Sequence, residues 1–269
     1  MTRIESPSSI NTYKQCPRKY YYSYIEKIPG KENIYTVRGG IVHKALEHFF
    51  NINVDMLNEE NYDIILRVVI MNLFNSGWRE NIGKINELLN HNPRIIEHYY
   101  YESMKMINNW FDIFIARLKN EMINKDVQDG FIALKPRTEQ KLVSESFSVQ
   151  GYIDAVYDDS SGVKLIDYKT SRKGGISEEY KLQLAIYSLL YKENRDKAPG
   201  KVGIFFLGDG REQWIDVDDS LIKKAEDECN EMKEKTKSKD KKDYIRKPSG
   251  LCKYSHGQCD YYDICKPFD

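Results

Sequence analysis

A chain of 269 residues with 41% hydrophobic content can bury a substantial core as one domain, or as one domain carrying an inserted lobe. Lys plus Arg and Asp plus Glu balance at 41 each, so net charge singles out no polyanionic or acidic-ligand partner and any such patch must be local. The start of the chain lacks an apolar stretch and no later run approaches the roughly 18 apolar residues of a membrane span, which predicts a soluble, cytoplasmic protein without a membrane partner.

In chain order, residues 6–28 carry Ser and Pro starts followed by Ile10, Tyr13, Tyr20 and Tyr24 at helical spacings, with Pro17 dividing two short helices. The stretch RGGIVHKALEHFF then opens another helix after a Gly pair. From about residue 60 to 125 the pattern is helical almost throughout, with Trp78, Trp110, Phe111 and Phe114 as core members. Between 131 and 171 the texture turns alternating and β-branched, giving three consecutive strands, FIALKPRTEQKLV, FSVQGYIDAVYDD and VKLIDYKTS. The turn DDSSG joins the last two. A helix, SEEYKLQLAIYSLLYKEN, follows. Strands KVGIFFLG and REQWIDVD flank a turn at Asp209-Gly210, and a charged helix runs to about residue 238.

The strand VKLIDYKTS holds the first chemical signal. Side chains alternate along a strand, so Asp167 and Lys169 share a face while Tyr168 points to the other. Alone, that pair is an ordinary half-exposed ion pair. The preceding strand, however, supplies Asp154 and the one before it Glu139. Three carboxylates on adjacent strands repel one another unless a cation joins them. Hard oxygen ligands suit Mg²⁺ or Mn²⁺, and a Lys beside them can position a water and stabilise charge building on a phosphate.

GYIDAV followed by KLIDYKTS resembles the PD-(D/E)xK nuclease signature in its RecB-like form, which includes the AddB and RecB nuclease domains and the CRISPR-associated RecB-like exonucleases. RGGIVHKALE resembles that group's upstream His motif, KLQLAIYSLLY its Gln-x-x-x-Tyr helix, and SSINTYKQCPRKYYYSYI its N-terminal segment with a single Cys. The resemblance leaves residues 51–130 unmatched. It implies that Asp154 and Asp167 ligate the metal, with the Tyr168 carbonyl a further ligand, and that Lys169 acts on the attacking water. It also implies that His43 is a metal ligand or phosphate contact, and that Gln183 and Tyr187, one helical turn apart, hydrogen-bond the Lys or the DNA.

The five cysteines, an odd count clustered toward one end, suit a metal site in a reducing compartment better than a disulfide framework. In the RecB-like group one N-terminal and three C-terminal cysteines hold a [4Fe-4S] cluster, a set that here would be Cys16, Cys252, Cys259 and Cys265. Five residues separate Cys259 from Cys265 as in that group, but six separate Cys252 from Cys259 where two are usual. Zn²⁺ is the competing occupant, with His256 a substitute ligand. Cys229 reads as a plain thiol.

Lys14, Arg18 and Lys19, interleaved with Tyr20, Tyr21, Tyr22 and Tyr24, predict a nucleic-acid contact in which cations track phosphates and some of the aromatics stack on single-stranded bases, while helical periodicity sends several of the tyrosines to the core. The basic run 233–247 reads as a solvated linker. The expectation is one α/β nuclease domain over 1–269, with a restriction-endonuclease-like core (a mixed central sheet flanked by helices), a helical insertion and a C-terminal cysteine cluster. Its parts would be N-terminal helices at 1–50, the insertion at 51–130, the catalytic core at 131–238, and a basic linker with the cysteine cluster at 239–269. Its reaction would be metal-dependent phosphodiester hydrolysis, exonucleolytic on single-stranded DNA or DNA ends, in repair, recombination or CRISPR adaptation. The alternative is a DNA-binding module that keeps the fold and cluster without cleaving.

Overall fold

The computed structural model describes residues 3–160, 162–171, 174–254 and 257–268. Helix α1 (Pro7–Gln15) starts at Ser6, whose hydroxyl accepts from the Ser9 amide while Ser9 returns a bond to the Ser6 amide. Pro17 opens α2 (Pro17–Tyr20), which runs into a π-helical turn at Tyr21–Ile25. Asn33 caps α3 (Ile34–Phe49) by accepting from the Thr36 amide, so this helix begins one turn before the Gly pair that the sequence suggested as its start.

Helices α4 (Tyr62–Glu80), α5 (Ile82–Leu88), α6 (Pro93–Glu121) and α7 (Val127–Leu134) follow. The first predicted strand needs correction here, because residues 131–134 belong to α7. Asp126 caps that helix, and Val127 and Phe131, four residues apart, bury one face within the helical cluster. Extended backbone begins only after Pro136, with β1 (Arg137–Ser144).

Strands β2 (Val149–Asp159), β3 (Gly162–Lys169), β4 (Lys201–Phe206) and β5 (Arg211–Asp216) complete a five-stranded sheet in the order β1-β2-β3-β4-β5. All neighbours are antiparallel except β3 and β4, whose parallel pairing requires the crossover helix α8 (Glu178–Arg195). One hydrophobic cluster joins α8 and α9 (Asp219–Lys235) to Leu165, Ile204 and Phe206 on one face of the sheet. A second joins α3, α4 and α6 to Ile166, Tyr168 and Phe205 on the other. The mixed sheet is thus covered on both sides, as the α/β expectation requires. No helix among the described residues is long and apolar enough to cross a membrane.

Burial narrows one sequence reading and overturns another. Tyr20, Tyr21 and Tyr22 are core residues, with Tyr20 fully buried, so they offer no stacking face to bases. The basic run does not float as a linker, because Tyr244 within it is also fully buried, packed against the rings of Tyr13, Tyr20 and Tyr21. Apolar ring burial outweighs the solvation of the flanking lysines.

Candidate active site

The ladder between β2 and β3 runs from Asp159–Gly162 to Ala155–Ile166 and stops there. Asp154 and Asp167 are the next residues on the two strands, so their carboxylates meet where the strands part. The β1–β2 ladder also skips one position, Glu139 opposite Asp154, and Glu139 has a left-handed backbone with φ 46°. A non-glycine residue held there is strained, and the distortion turns the Glu139 carboxylate toward the same place. One Glu139 oxygen, one Asp154 oxygen and one His43 ring nitrogen all lie within 4.8 Å of one another.

α3 delivers His43 to this cluster, with Nδ1 3.3 Å from Asp154 Oδ1. Burial of the imidazole works against its charge, but the Asp154 hydrogen bond and the carboxylate field of Asp154 and Asp167 outweigh it, and the His43 pKa rises. The second Asp154 oxygen accepts from the Tyr168 amide at 2.6 Å, which fixes that carboxylate against the strand.

Asp167 is buried, and burial pushes its pKa up to about 6 despite the neighbouring ammonium of Lys169. Lys169 Nζ stands 2.7 Å from the buried Asp167 Oδ2 as its ion-pair partner. Its other oxygen accepts from Gln183 Nε2 at 2.8 Å, and Gln183 Oε1 accepts from Lys169 Nζ at 2.9 Å. The same Gln183 amide donates to the Tyr187 hydroxyl at 2.8 Å. One glutamine on α8 thereby holds both members of the Asp-Lys pair, and the ring of Tyr180, one turn earlier, lies 5.1 Å below the Lys169 ammonium.

The converging donors of His43, Glu139 and Asp154, two carboxylates and an imidazole, form a hard, oxygen-rich set that fits a divalent cation, with the buried Asp167 carboxylate beside them. Glu139, weighed only lightly from sequence, belongs with them. Its pKa rises through burial and through the charges of Asp154 and Glu47. Glu47 escaped notice altogether, although it follows His43 by one helical turn and so shares its face.

Cys16, Cys252, Cys259 and Cys265 line a single pocket of about 430 Å³, together with Lys19, Arg246 and Lys247, and none of the four is in a disulfide. Burial raises the thiols of Cys259 and Cys265, each of which also feels the charge of Cys16. The Cys259 amide donates to the Cys252 carbonyl at 2.9 Å, closing a hairpin of β6 (Lys253–Tyr254) and β7 (Gly257–Gln258) ahead of α10 (Tyr262–Cys265). His256 lies outside the described residues. Cys229 is buried on α9 with its thiol pushed up to about 12.

The predicted DNA-tracking cations have partners within the protein. Lys14 pairs with Glu228, Arg18 Nε donates to the Tyr244 carbonyl at 2.7 Å, and Lys19 donates to Gln15 at 3.3 Å.

A mixed sheet whose parted central strands present two aspartates and a lysine, braced by a crossover helix, defines a nuclease fold of the restriction-endonuclease kind. The chain belongs to the PD-(D/E)XK nuclease superfamily, whose profile it matches over residues 5–266. It is 26% identical over 227 residues to a protein of the ATP-dependent helicase/nuclease of Clostridium botulinum, an alignment covering 75% of this chain and 17% of that protein. It is 30% identical over 122 residues to the CRISPR-associated exonuclease Cas4 of Francisella tularensis subsp. novicida, covering 45% of this chain and 58% of that one. The chain thus spans less than two thirds of either relative. The crystal structure of a candidate exonuclease from Eubacterium rectale superposes with a TM-score of 0.51 at 11% identity, over 100% of this chain and 88% of that one, and so shares the fold.

Proposed function

We propose that this protein is a divalent-metal-dependent deoxyribonuclease that degrades single-stranded DNA or DNA from its ends. The observation that carries the proposal is the placement of Asp154 and Asp167 at the opened ends of β2 and β3, with Lys169 paired to a buried Asp167 oxygen. His43, Asp154 and Asp167 would hold Mg²⁺ or Mn²⁺ together with Glu139, whose oxygen lies within 4.8 Å of donor atoms of His43 and Asp154. Such an ion polarises a phosphoryl oxygen and supplies a nucleophile from bound water near neutral pH.

The protein's own contribution is to place and charge-balance the groups around that ion. Lys169, held by Gln183 and by the Tyr180 face, orients the attacking water and opposes the negative charge that develops on the phosphate. Tyr187 and Gln183 keep the Asp167 carboxylate aimed while it is ionised. A non-cleaving DNA-binding module would have no use for this bracing of the lysine. The exonuclease designations of the Cas4 relative and of the Eubacterium rectale structure support action from ends. The helicase/nuclease and CRISPR-associated relatives support work in DNA repair, recombination or CRISPR adaptation.

At the chain ends, Cys16, Cys252, Cys259 and Cys265 would hold an iron–sulfur cluster of the [4Fe-4S] type. A single Zn²⁺ draws its ligands in to about 2.3 Å, whereas no three of these thiols gather within 4.8 Å among the described residues, and about 430 Å³ is open between them. Lys19, Arg246 and Lys247 around the pocket offset the thiolate charge such a cluster requires.

The test is digestion of one end-labelled sequence presented as a single strand, as a blunt duplex and as a duplex with an overhang, each with Mg²⁺, Mn²⁺ or EDTA. The single strand and the overhang should be degraded and the blunt duplex spared, with no products in EDTA. Cleavage that survives EDTA, or fastest loss of the blunt duplex, would overturn the reading.

A further inference from the structure

Beside the catalytic strand lies a second cavity of about 450 Å³, lined by Tyr35 and Arg38 of α3, His98, Tyr99 and Glu102 of α6, and Thr170 and Ser171 at the exit of β3. It adjoins the site on two elements. Thr170 and Ser171 directly follow Lys169, and Arg38 precedes His43 on α3 by five residues, about 7.5 Å of helix. The backbone of α3 comes close here, since a Cβ at Gly39 would stand 3.4 Å from Thr170 Oγ1.

The wall chemistry distinguishes between ligands. Arg38 is 3% exposed and is ion-paired to Glu102, so an incoming phosphate would meet a neutralised pair rather than a free cation. Among the described residues the buried Arg38 Nε–H has no hydrogen-bond partner, so the guanidinium is held by its ion pair with Glu102. The guanidinium lies 5.3 Å from the ring centres of both Tyr35 and Tyr99, which fixes its orientation. Tyr35 is itself 59% exposed, a large aromatic face open to solvent at the rim of the cavity. An uncharged, flat ligand fits these walls better than a free anion.

We propose that this cavity is a base-binding subsite: it takes one unpaired nucleobase flanking the phosphate held at the Asp154–Asp167 site, stacked on Tyr35 at the cavity rim. The assignment rests on the nuclease reading and adds the reason for a single-strand preference. A base inside a duplex presents neither its stacking face nor its pairing edge, so the cavity admits only a strand that is already open. It also gives the helical insertion, through α6, a direct part in substrate selection.

Binding can be measured without cleavage by fluorescence anisotropy in Ca²⁺, with a labelled short single strand and the same strand carrying one abasic position walked along it. Wild-type protein should bind the intact strand about tenfold better than the strand abasic at the subsite position, in line with about 1–3 kcal/mol for one stacked base. Tyr35→Ala should lose that difference and Tyr35→Phe should retain it, while circular dichroism confirms that both remain folded. Equal affinity of wild type and Tyr35→Ala for the intact strand, or no abasic position that weakens wild-type binding, would overturn the proposal. Cleavage of the same strands in Mg²⁺ reports on the nuclease reading separately. Selective binding without cleavage would keep the subsite and remove the nuclease.

Discussion

Lys169 and Asp167 are adjacent on one strand face yet differ in what their loss should do. In the proposed reaction Lys169→Ala would remove the cation that meets developing phosphate charge and leave the carboxylates in place, so cleavage should fall by about a hundredfold or more while Mn²⁺ binding persists in a calorimetric titration. The protonation of Asp167 predicts a pH dependence with a definite sign. Its pKa is raised from 3.8 to about 6 by burial, so in metal-free protein its contribution to stability is complete below about pH 4 and is lost as pH rises through 6. His43, also raised, acts in the same direction. A divalent ion binds the deprotonated forms, so the gain in Tm on adding Mg²⁺ should be small at pH 5 and grow toward pH 7.5 in scanning calorimetry. A gain independent of pH would place the ion elsewhere.

At the level of elements, the site depends on α8 lying close against β2. A Cβ at Gly151 would stand 2.9 Å from Tyr187 Cε1 and 3.1 Å from Leu190 Cδ1, so Gly151→Ala must push α8 outward and shift Gln183 and Tyr187 together. The expected cost is about 1–3 kcal/mol in denaturant unfolding, with a loss of activity larger than that stability change explains. Gly203→Ala, which meets Trp214 Cε3 at 2.6 Å and a backbone oxygen at 2.7 Å, should destabilise as much and spare the chemistry in the protein that remains folded. Most of these elements were legible in the sequence, because alternating β3 and the amphipathic α8 carry their patterns locally. The start of β1 was not, since Phe131 and Ile132 suit a strand as well as a helix, and only the Asp126 cap and packing against α6 decide. The gathering of Asp154, Asp167, Lys169, Gln183 and Tyr187 could be anticipated from motif order. Glu139 was anticipated as the third carboxylate of that set, but its left-handed backbone was not, because no local residue pattern announces it. Likewise, basic and aromatic interleaving near the N-terminus suggested a DNA surface, whereas Tyr20 and Tyr22 proved to be the hydrophobic center of a clasp between the chain ends.

Across the whole molecule, that clasp joins residues more than 200 positions apart. Arg18 donates its amide to the Ile245 carbonyl, the Ser23 hydroxyl donates to Tyr261, and the Tyr261 hydroxyl donates to the Ile28 carbonyl. Protein purified without oxygen should be brown with broad visible absorption if the four cysteines hold an iron–sulfur cluster, and colourless with stoichiometric zinc if they hold Zn²⁺. If Cys16 helps to hold such a metal, Cys16→Ala should lower Tm, because it would release a cross-link closing nearly the full chain. It should leave the protein folded, since Tyr244 and Tyr261 still tie the ends together. An unchanged Tm in the variant would mean that the clasp is made by the aromatic core alone.

The most direct measurement is hydrolysis of an end-labelled single-stranded oligonucleotide in Mn²⁺ by wild type and by Asp167→Ala, each purified identically and shown to be folded. If Asp154 and Asp167 share the ion that phosphodiester cleavage requires, the variant's rate falls to the background of a protein-free control while the wild type digests the strand. Equal rates for the two proteins would contradict the assignment of this site.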